Sequence, residues 1–442
     1  MNATFSSNPL APLQKGKACT HCRRRKTKCD AARPICGPCS KFSSILGDCE
    51  FPEDGPSRRE LLEDQISILQ ARIDELEKNK ERAVPSTSGS RTATLSPPQI
   101  GLAHNFLHNA SYFGFFLHSQ VFHDAVTGAN GRDLPDVLSN VMYLWGVHLS
   151  EDERITAYEP IFLANALRST AHSLTSTHPR AILHSLQAFV LLAYYFVRRA
   201  RFLEGRYYTA AAVSISLGSG LHRIRTPPDA TNAAEGSFGE VPPPRDAAEE
   251  GERIAAFWAV LHLNNCWAGT NGCLSNVTYG PSGPKIDTPW PLERRDYLER
   301  TTALPRHSTG TITKFLAGIP DQATSGPALQ AKASILFEHA TRFGAQSLAS
   351  DQIDMAMYTL DARIEAFKAA LPPIQSKAMV VIHTLAHVST IQLHKTPMTG
   401  ATFAGNQALS AARAVVDILV KTDIPNIGII DPVLAVSPLY PF

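Results

Sequence analysis

The sequence predicts an all-α protein in four parts: a small cysteine-organised head, a short coiled coil, a linker and a large helical domain. Three observations carry this. Six of the eight cysteines fall between residues 19 and 49, in a segment too short to fold by apolar burial alone. Leu62, Leu69 and Leu76 recur at seven-residue intervals, the period of a coiled-coil seam. From about residue 100 onward, apolar residues recur with helical period between Pro- and Gly-rich loops, and strand-like alternation is scarce. With 442 residues, about three times the ~150-residue prior for one domain, a single small module is excluded.

Residues 1–14 are polar, proline-bearing and aperiodic, the composition of a disordered arm. They contain no apolar stretch that could act as a signal peptide, so the thiols are expected to stay reduced. The longest apolar run, Ala181 to Val197, is interrupted by His184, Ser185 and Gln187. It reads as too short and too polar to span ~30 Å of hydrocarbon, and the chain is expected to be soluble and intracellular with no membrane partner. Formal charge is nearly balanced, 42 Lys+Arg against 40 Asp+Glu. The balance hides a split: residues 1–41 hold nine basic side chains and one acid, Asp30. Residues 1–41 therefore carry +8 and the remainder −6, so one end is suited to a polyanion.

The head spans residues 15–55, and its cysteines are spaced C-x2-C-x6-C-x6-C-x2-C-x9-C: Cys19, Cys22, Cys29, Cys36, Cys39 and Cys49. A closed structural zinc site takes four ligands, so six thiolates are too many for one ion and too few for two independent ones. Two bridging thiolates would supply the eight ligand positions that two zincs need. A mononuclear ribbon with two spare thiols, or a redox switch, is the competing reading. Two Zn²⁺ against six thiolates leave −2, so the surrounding charge stays near +6. The basic run from Arg23 to Lys28 lies inside this frame, which would fix its geometry for DNA; a nuclear-import signal is the other use of such a run.

The stretch CTHCRRRKTKCDAARPICGPC resembles the fungal Zn(2)-Cys(6) binuclear cluster, a double-stranded-DNA-binding module that places a helix in the major groove. The resemblance implies two Zn²⁺ per chain, bridged by the first and fourth cysteines, here Cys19 and Cys36. It implies a short helix opened by each C-x2-C and base-reading side chains at Arg25 and Lys26. The family's lysine before the third cysteine falls on Lys28, and its loop proline on Pro34. The last gap, of nine residues, is slightly longer than usual for the family. Lys15, Lys17, Arg23 and Lys41, nearer the flanks, are suited to phosphates, and Arg24 belongs to the same basic run. The expected activity is sequence-specific regulation of RNA polymerase II transcription in the nucleus, reading CGG-type half-sites as a dimer.

Residues 56–82 form the predicted dimer helix. With Leu62, Leu69 and Leu76 at d, Ile66 and Ile73 fall at a, the combination that favours parallel two-stranded coils. Arg58 and Arg72 at g face Glu63 and Glu77 at e of a partner helix, so a homodimer is expected. An amphipathic helix packed on the large domain is the plainer alternative, because fewer than three heptads make a marginal zipper. Residues 83–99, including VPSTSGSRTATLSPPQ, read as a flexible linker.

Residues 100–442 form the large domain. Ile182, Leu186, Phe189, Val190, Ala193 and Val197 trace one helical stripe; Ile254, Phe257, Trp258, Leu261 and Cys266 trace another. RFLEGRYYTAAAVSISLGSGL reads as a helix folding back on the first, and residues 226–246 as an exposed loop. YLWGVHLS, RRARFLEGRYYTAAAVSISLGSGLHRI, EEGERIAAFWAVLHLNNCW and IDTPWP resemble the fungal-specific transcription factor domain, or middle homology region. That resemblance implies an all-helical regulatory fold, not an enzyme, and against it the end DPVLAVSPLYPF reads as truncated, with no acidic-hydrophobic activation tail. His383 and His387 share a helix face but lack the glutamate of HExxH, and no G-x-S-x-G or phosphate loop is present. Cys266 and Cys273 read as buried neutral thiols. No small-molecule effector is specified; Phe257, Trp258 and Trp267 are candidates to line a pocket for one, although aromatic residues at helical spacing are more often core.

Overall fold

A computed structural model describes residues 17–41, 49, 51, 67, 70, 97–126, 134–175, 178, 180–227, 241–271, 275–279, 283–299, 305–345, 351–395 and 401–422. The chain divides into two compact units, Met1–Arg91 and Thr92–Phe442, and the described residues contain helices and no strand. In the first unit, α1 (Thr20–Arg24) and α2 (Gly37–Ser40) each follow a cysteine. Leu62, Ile66, Leu69, Ile73 and Leu76 lie outside the described residues, as do Lys15 and Cys273. Ser67 and Gln70, on the same heptad stretch, are helical.

The second unit begins with α3 (Pro97–Asn109), which starts inside the stretch read as linker. Proline is tolerated in the first turn because its missing N–H has no intrahelical partner there. After α4 (Ser119–Val126), α5 (Asp136–His148) packs on α3 so closely that a Cβ at Gly146 would collide with the Leu102 backbone. Asn105 Nδ2 donates to Gly146 O at 2.9 Å across that contact. Two shorter elements, α6 (Glu153–Thr156) and α7 (Glu159–Ala171), lead to α8 (Ala181–Arg198).

The stripe expected on α8 becomes burial on nearly every side, from Leu183 through Val197. By length and composition this helix could cross a membrane, contrary to the sequence reading, but its residues are buried within the protein. The polar interruption at Gln187 is what a central helix of this kind needs in order to tie down a neighbouring loop. Its Oε1 accepts from Phe116 N–H at 2.7 Å and Leu117 N–H at 3.3 Å, and its Nε2 donates to Gly114 O at 3.2 Å, so buried backbone groups are satisfied by a side chain. Trp145, stacked on Phe113 at 3.9 Å, donates Nε1–H to Leu191 O at 3.1 Å.

The chain reverses at Ala200, whose φ of 54° is the left-handed cap of α8. It returns as α9 (Phe202–Gly218), packed on α8 as the sequence predicts. A long helix, α10 (Ala247–Asn271), follows, then α11 (Arg294–Glu299), α12 (Thr311–Leu316), α13 (Gly326–Ala345), α14 (Asp351–Ala370), α15 (Lys377–His394) and α16 (Ala401–Lys421). α10 packs on α9 and α13, and α15 joins α13 to α16. Phe257, Trp267 and Cys266 are core residues. His383 Nε2 lies 2.8 Å from Pro372 O, and burial lowers His387 to about 4.

IDTPWP is a buried loop threaded between helices. Asp287 Oδ1 accepts from Gly310 N–H at 2.7 Å, its Oδ2 accepts from Thr226 Oγ1 at 3.0 Å, and Thr288 Oγ1 donates to Leu221 O at 2.6 Å. Trp258 stacks on Trp290 at 4.5 Å and donates to Pro289 O at 2.7 Å. The four tryptophans, at 145, 258, 267 and 290, thus report on this unit.

Three histidines make its stability acid-sensitive. Burial, reinforced by Arg180, pushes His184 down to about 3; burial with Arg342 lowers His339 to about 4, and burial with Lys368 does the same to His387. The folded state keeps each neutral, whereas the unfolded chain takes up the proton near the ordinary 6.5. Their contribution is complete above that value and is lost as pH falls from it toward about 4. Tryptophan-monitored melting should therefore occur at least about 5 °C lower at pH 5 than at pH 7; equal midpoints would count against buried neutral histidines.

Candidate metal centre and nucleic-acid interface

The C-x2-C spacing puts one cysteine at the cap of a helix and the next in its first turn. Cys19 caps α1, its Sγ accepting from Cys22 N–H at 3.4 Å, and Cys36 precedes α2, which carries Cys39. Folding the two helices together brings the sulfurs of Cys19, Cys22, Cys36 and Cys39 within 4.8 Å of one another. Four of the separations are 3.7 Å (Cys19–Cys36), 3.8 Å (Cys19–Cys39), 3.6 Å (Cys22–Cys36) and 3.8 Å (Cys22–Cys39). A tetrahedron with Zn–S bonds of about 2.3 Å has edges of about 3.8 Å. The donor set fits a zinc ion.

A second group, Cys29, Asp30 and Cys36, also lies within 4.8 Å, so Cys36 is common to both groups. Cys49 Sγ accepts from Cys36 N–H at 3.3 Å. Cys29 thus joins the tight four through the Cys36 sulfur, and Cys49 lies against the Cys36 backbone. Burial pushes the thiols of Cys19, Cys22 and Cys39 up, while hydrogen bonds from Cys39, Cys22 and Cys19 carry Cys36 down to about 7 in spite of burial. Four adjacent thiolates repel one another unless a cation lies among them, which is the work a structural metal performs.

Asp30, Gly37, Phe51 and His21, none of them a predicted ligand, help hold this frame. Asp30, the one acid of residues 1–41, accepts from Gly37 N–H at 2.9 and 3.0 Å and from Ala32 N–H at 3.3 Å. It thereby places a carboxylate at the start of α2, where the free N–H groups lie. A Cβ on Gly37 would overlap Asp30 Oδ2 and push that carboxylate aside. Phe51 is buried against the cysteines with Arg33 4.8 Å from its ring, and His21 is buried beside them. Asp30 as the sole acid among nine bases was the available signal.

Lys17, Arg23, Arg24, Arg25, Lys26, Lys28 and Lys41 are all exposed. α1 ends in a left-handed cap: Lys26 N–H donates to Arg23 O at 3.2 Å and Thr27 N–H to Cys22 O at 3.0 Å, with φ 53° at Lys26. The cap directs the chain, and the lysine on it, off the helix end. Arg25 Nη1 lies 3.5 Å from His21 Nε2.

Residues 17–58 match the family model described as the fungal Zn(2)-Cys(6) binuclear cluster domain, and the head is such a domain, binding two zinc ions through its cysteines. Among curated proteins, the chain is 34% identical over 131 residues to the C6 finger domain transcription factor hasF of Aspergillus fumigatus, covering 23% of this chain and 16% of that protein. It is 50% identical over 46 residues to the chromatin structure-remodeling complex protein RSC30 of Saccharomyces cerevisiae, covering 10% of this chain and 5% of that protein. It is 33% identical over 86 residues to the heme-responsive zinc finger transcription factor HAP1 of the same yeast, covering 19% and 6%. The chain thus spans at most 16% of the length of these relatives. No solved structure matches it.

Gly37→Ala should displace Asp30 from the α2 amides and weaken the cluster by about 1 to 3 kcal/mol, the cost of unpairing charged hydrogen bonds. Chelator titration with a chromogenic zinc indicator measures this as an earlier release of metal. Release at the wild-type chelator concentration would show that the Asp30 contact contributes nothing.

Proposed function

We propose that this protein is a zinc-dependent, sequence-specific DNA-binding regulator of RNA polymerase II transcription, acting in the nucleus as a dimer on CGG-type half-sites. The observation that carries the reading is the row of exposed cations from Arg23 to Lys28 on and just beyond a helix capped by Cys19 and carrying Cys22. Rigid placement matters because base edges are read only by side chains held at a fixed depth in the ~12 Å major groove. Arg25 and Lys26 read guanine O6 and N7. Lys28, Arg23, Arg24, Lys17, Lys15 and Lys41 contact phosphates or flank the reading pair, adding affinity that carries no sequence information. The names of the relatives, two of them transcription factors, support this assignment.

Dimerisation is assigned to residues 56–82 through Leu62, Ile66, Leu69, Ile73 and Leu76, on their heptad spacing. The helical unit has the regulatory role that its resemblance to the middle homology region implies. Selection of bound duplexes from random oligonucleotides tests the whole reading: enriched paired CGG triplets are expected, and enrichment without sequence preference would reduce the function to general DNA association.

Lys26 offers a sharper test, because its left-handed backbone costs roughly 1 kcal/mol that glycine would not incur. Lys26→Gly should leave the zinc-loaded head as stable as wild type or more so, yet lose about 1 to 3 kcal/mol of affinity for a CGG site and little on random duplex. Equal losses on both duplexes in a fluorescence-anisotropy titration would remove Lys26 from base reading. Leu69→Pro should convert a dimer to a monomer in sedimentation, with paired sites weakened far more than single ones; unchanged mass would end the heptad assignment.

A further inference from the structure

The helical unit contains a cavity of about 400 Å³ along one face of α10, within the size range of small-molecule sites. Positions 248, 251, 252, 255, 258, 259 and 262 of that helix line it, a run of about 21 Å at 1.5 Å per residue. Ala255 and Ala259 leave the middle open, and Trp258, Phe115 and Tyr194 wall it. Polar groups gather at its two ends: Glu252, Arg294 and His118 at one, His262 and Gln330, 3.1 Å apart, at the other.

The charges at the first end decide what could bind. Glu252 is committed, its Oε1 accepting from His118 N–H at 2.8 Å and its Oε2 paired with Arg180. Glu293 is committed as well, accepting from Gly326 N–H at 2.9 Å at the start of α13. Arg294 instead donates to two neutral oxygens, Ser119 Oγ at 3.1 Å and Phe115 O at 3.3 Å. A guanidinium carries five N–H donors, so donors remain for an incoming anion. His118 Nδ1 is buried and has no hydrogen-bond partner among the described residues. Arg294 is exposed, so an acid group beside it keeps contact with water while the body is desolvated.

We propose that this cavity is a binding site for a small amphipathic carboxylate, its apolar body lying along Ala255 and Ala259 and its acid group held by Arg294. The polar pair His262 and Gln330 receives a hydrogen-bonding group at the far end of ligands that have one. This site is separate from the metal centre, and its occupation can be measured without DNA.

The experiment titrates the full-length, zinc-loaded chain with decanoate and with decan-1-ol, reading the fluorescence of the buried tryptophans and the heat of binding. Decanoate should bind saturably at one site per chain. Arg294→Gln should weaken decanoate at least about tenfold, the loss of one charged hydrogen bond, and leave decan-1-ol within twofold. Ala255→Phe, which fills the cavity from a position facing it, should abolish both; if its melting shows that it does not fold, Ala259→Phe is read in its place. Absence of saturable decanoate binding, or binding that survives the filled cavity, would overturn the site. Decanoate affinity indifferent to Arg294→Gln would overturn the choice of an anionic ligand.

Discussion

Sulfur atoms 3.6–3.8 Å apart, in a segment where Phe51 is the one buried phenylalanine among the described residues, make the head dependent on a divalent cation. Without the metal the thiols are buried with one another for partners, and two helices of five and four residues are far too short to be stable alone. Metal bonds therefore replace the hydrophobic core, and binding energy is folding energy. The exposed cations inherit their positions from that choice. Every basic residue between Cys22 and Cys29 is fixed at both ends of its segment by a zinc ligand, so a flexible basic run becomes a surface of defined shape.

The helical unit is built on the opposite principle. Its centre is α8, buried almost all round, against which Trp145, Phe113 and α9 pack. Burying a helix this completely also buries its polar side chains, and the structure uses them. Gln187 closes the loop at Gly114 to Leu117, and Asp287 and Thr288 do the same for the loop carrying Trp290. Loops held by interior hydrogen bonds are unusual because loops normally seek water; here they form part of the core. One of them, Gly114 to His118, also lines the cavity beside α10, so the fold's internal bracing and its binding surface share residues.

Charge follows the same division of labour. In residues 1–41, one acid stands among nine bases, and its carboxylate accepts from the first amide of α2. In the helical unit, charges near the core are paired: Glu249 between Arg245 and Arg253, Glu250 with Arg225, Lys332 with Asp321. Such pairs are retained at a desolvation cost and are worth little as net stability.

The cysteine spacing pointed to a metal centre, and its resemblance to the binuclear cluster implied two zinc ions. Helical period was enough for the class of the large unit and for the return of α9 on α8. Heptad spacing is the basis for proposing the dimer residues, which lie outside the described residues. What the sequence could not supply was depth. The period of α8 suggested one buried stripe, because a stripe is what most helices bury, and only the packing of neighbours on every side decided otherwise. Nor could it supply the pairing of Asp30 with Gly37, seven residues apart, or the meeting of Glu252, Arg294 and His118 from three separate segments. Period and spacing are local, set by the geometry of one helix or one ligand sphere; which groups share a cavity is set by how distant segments pack, and no local pattern encodes it.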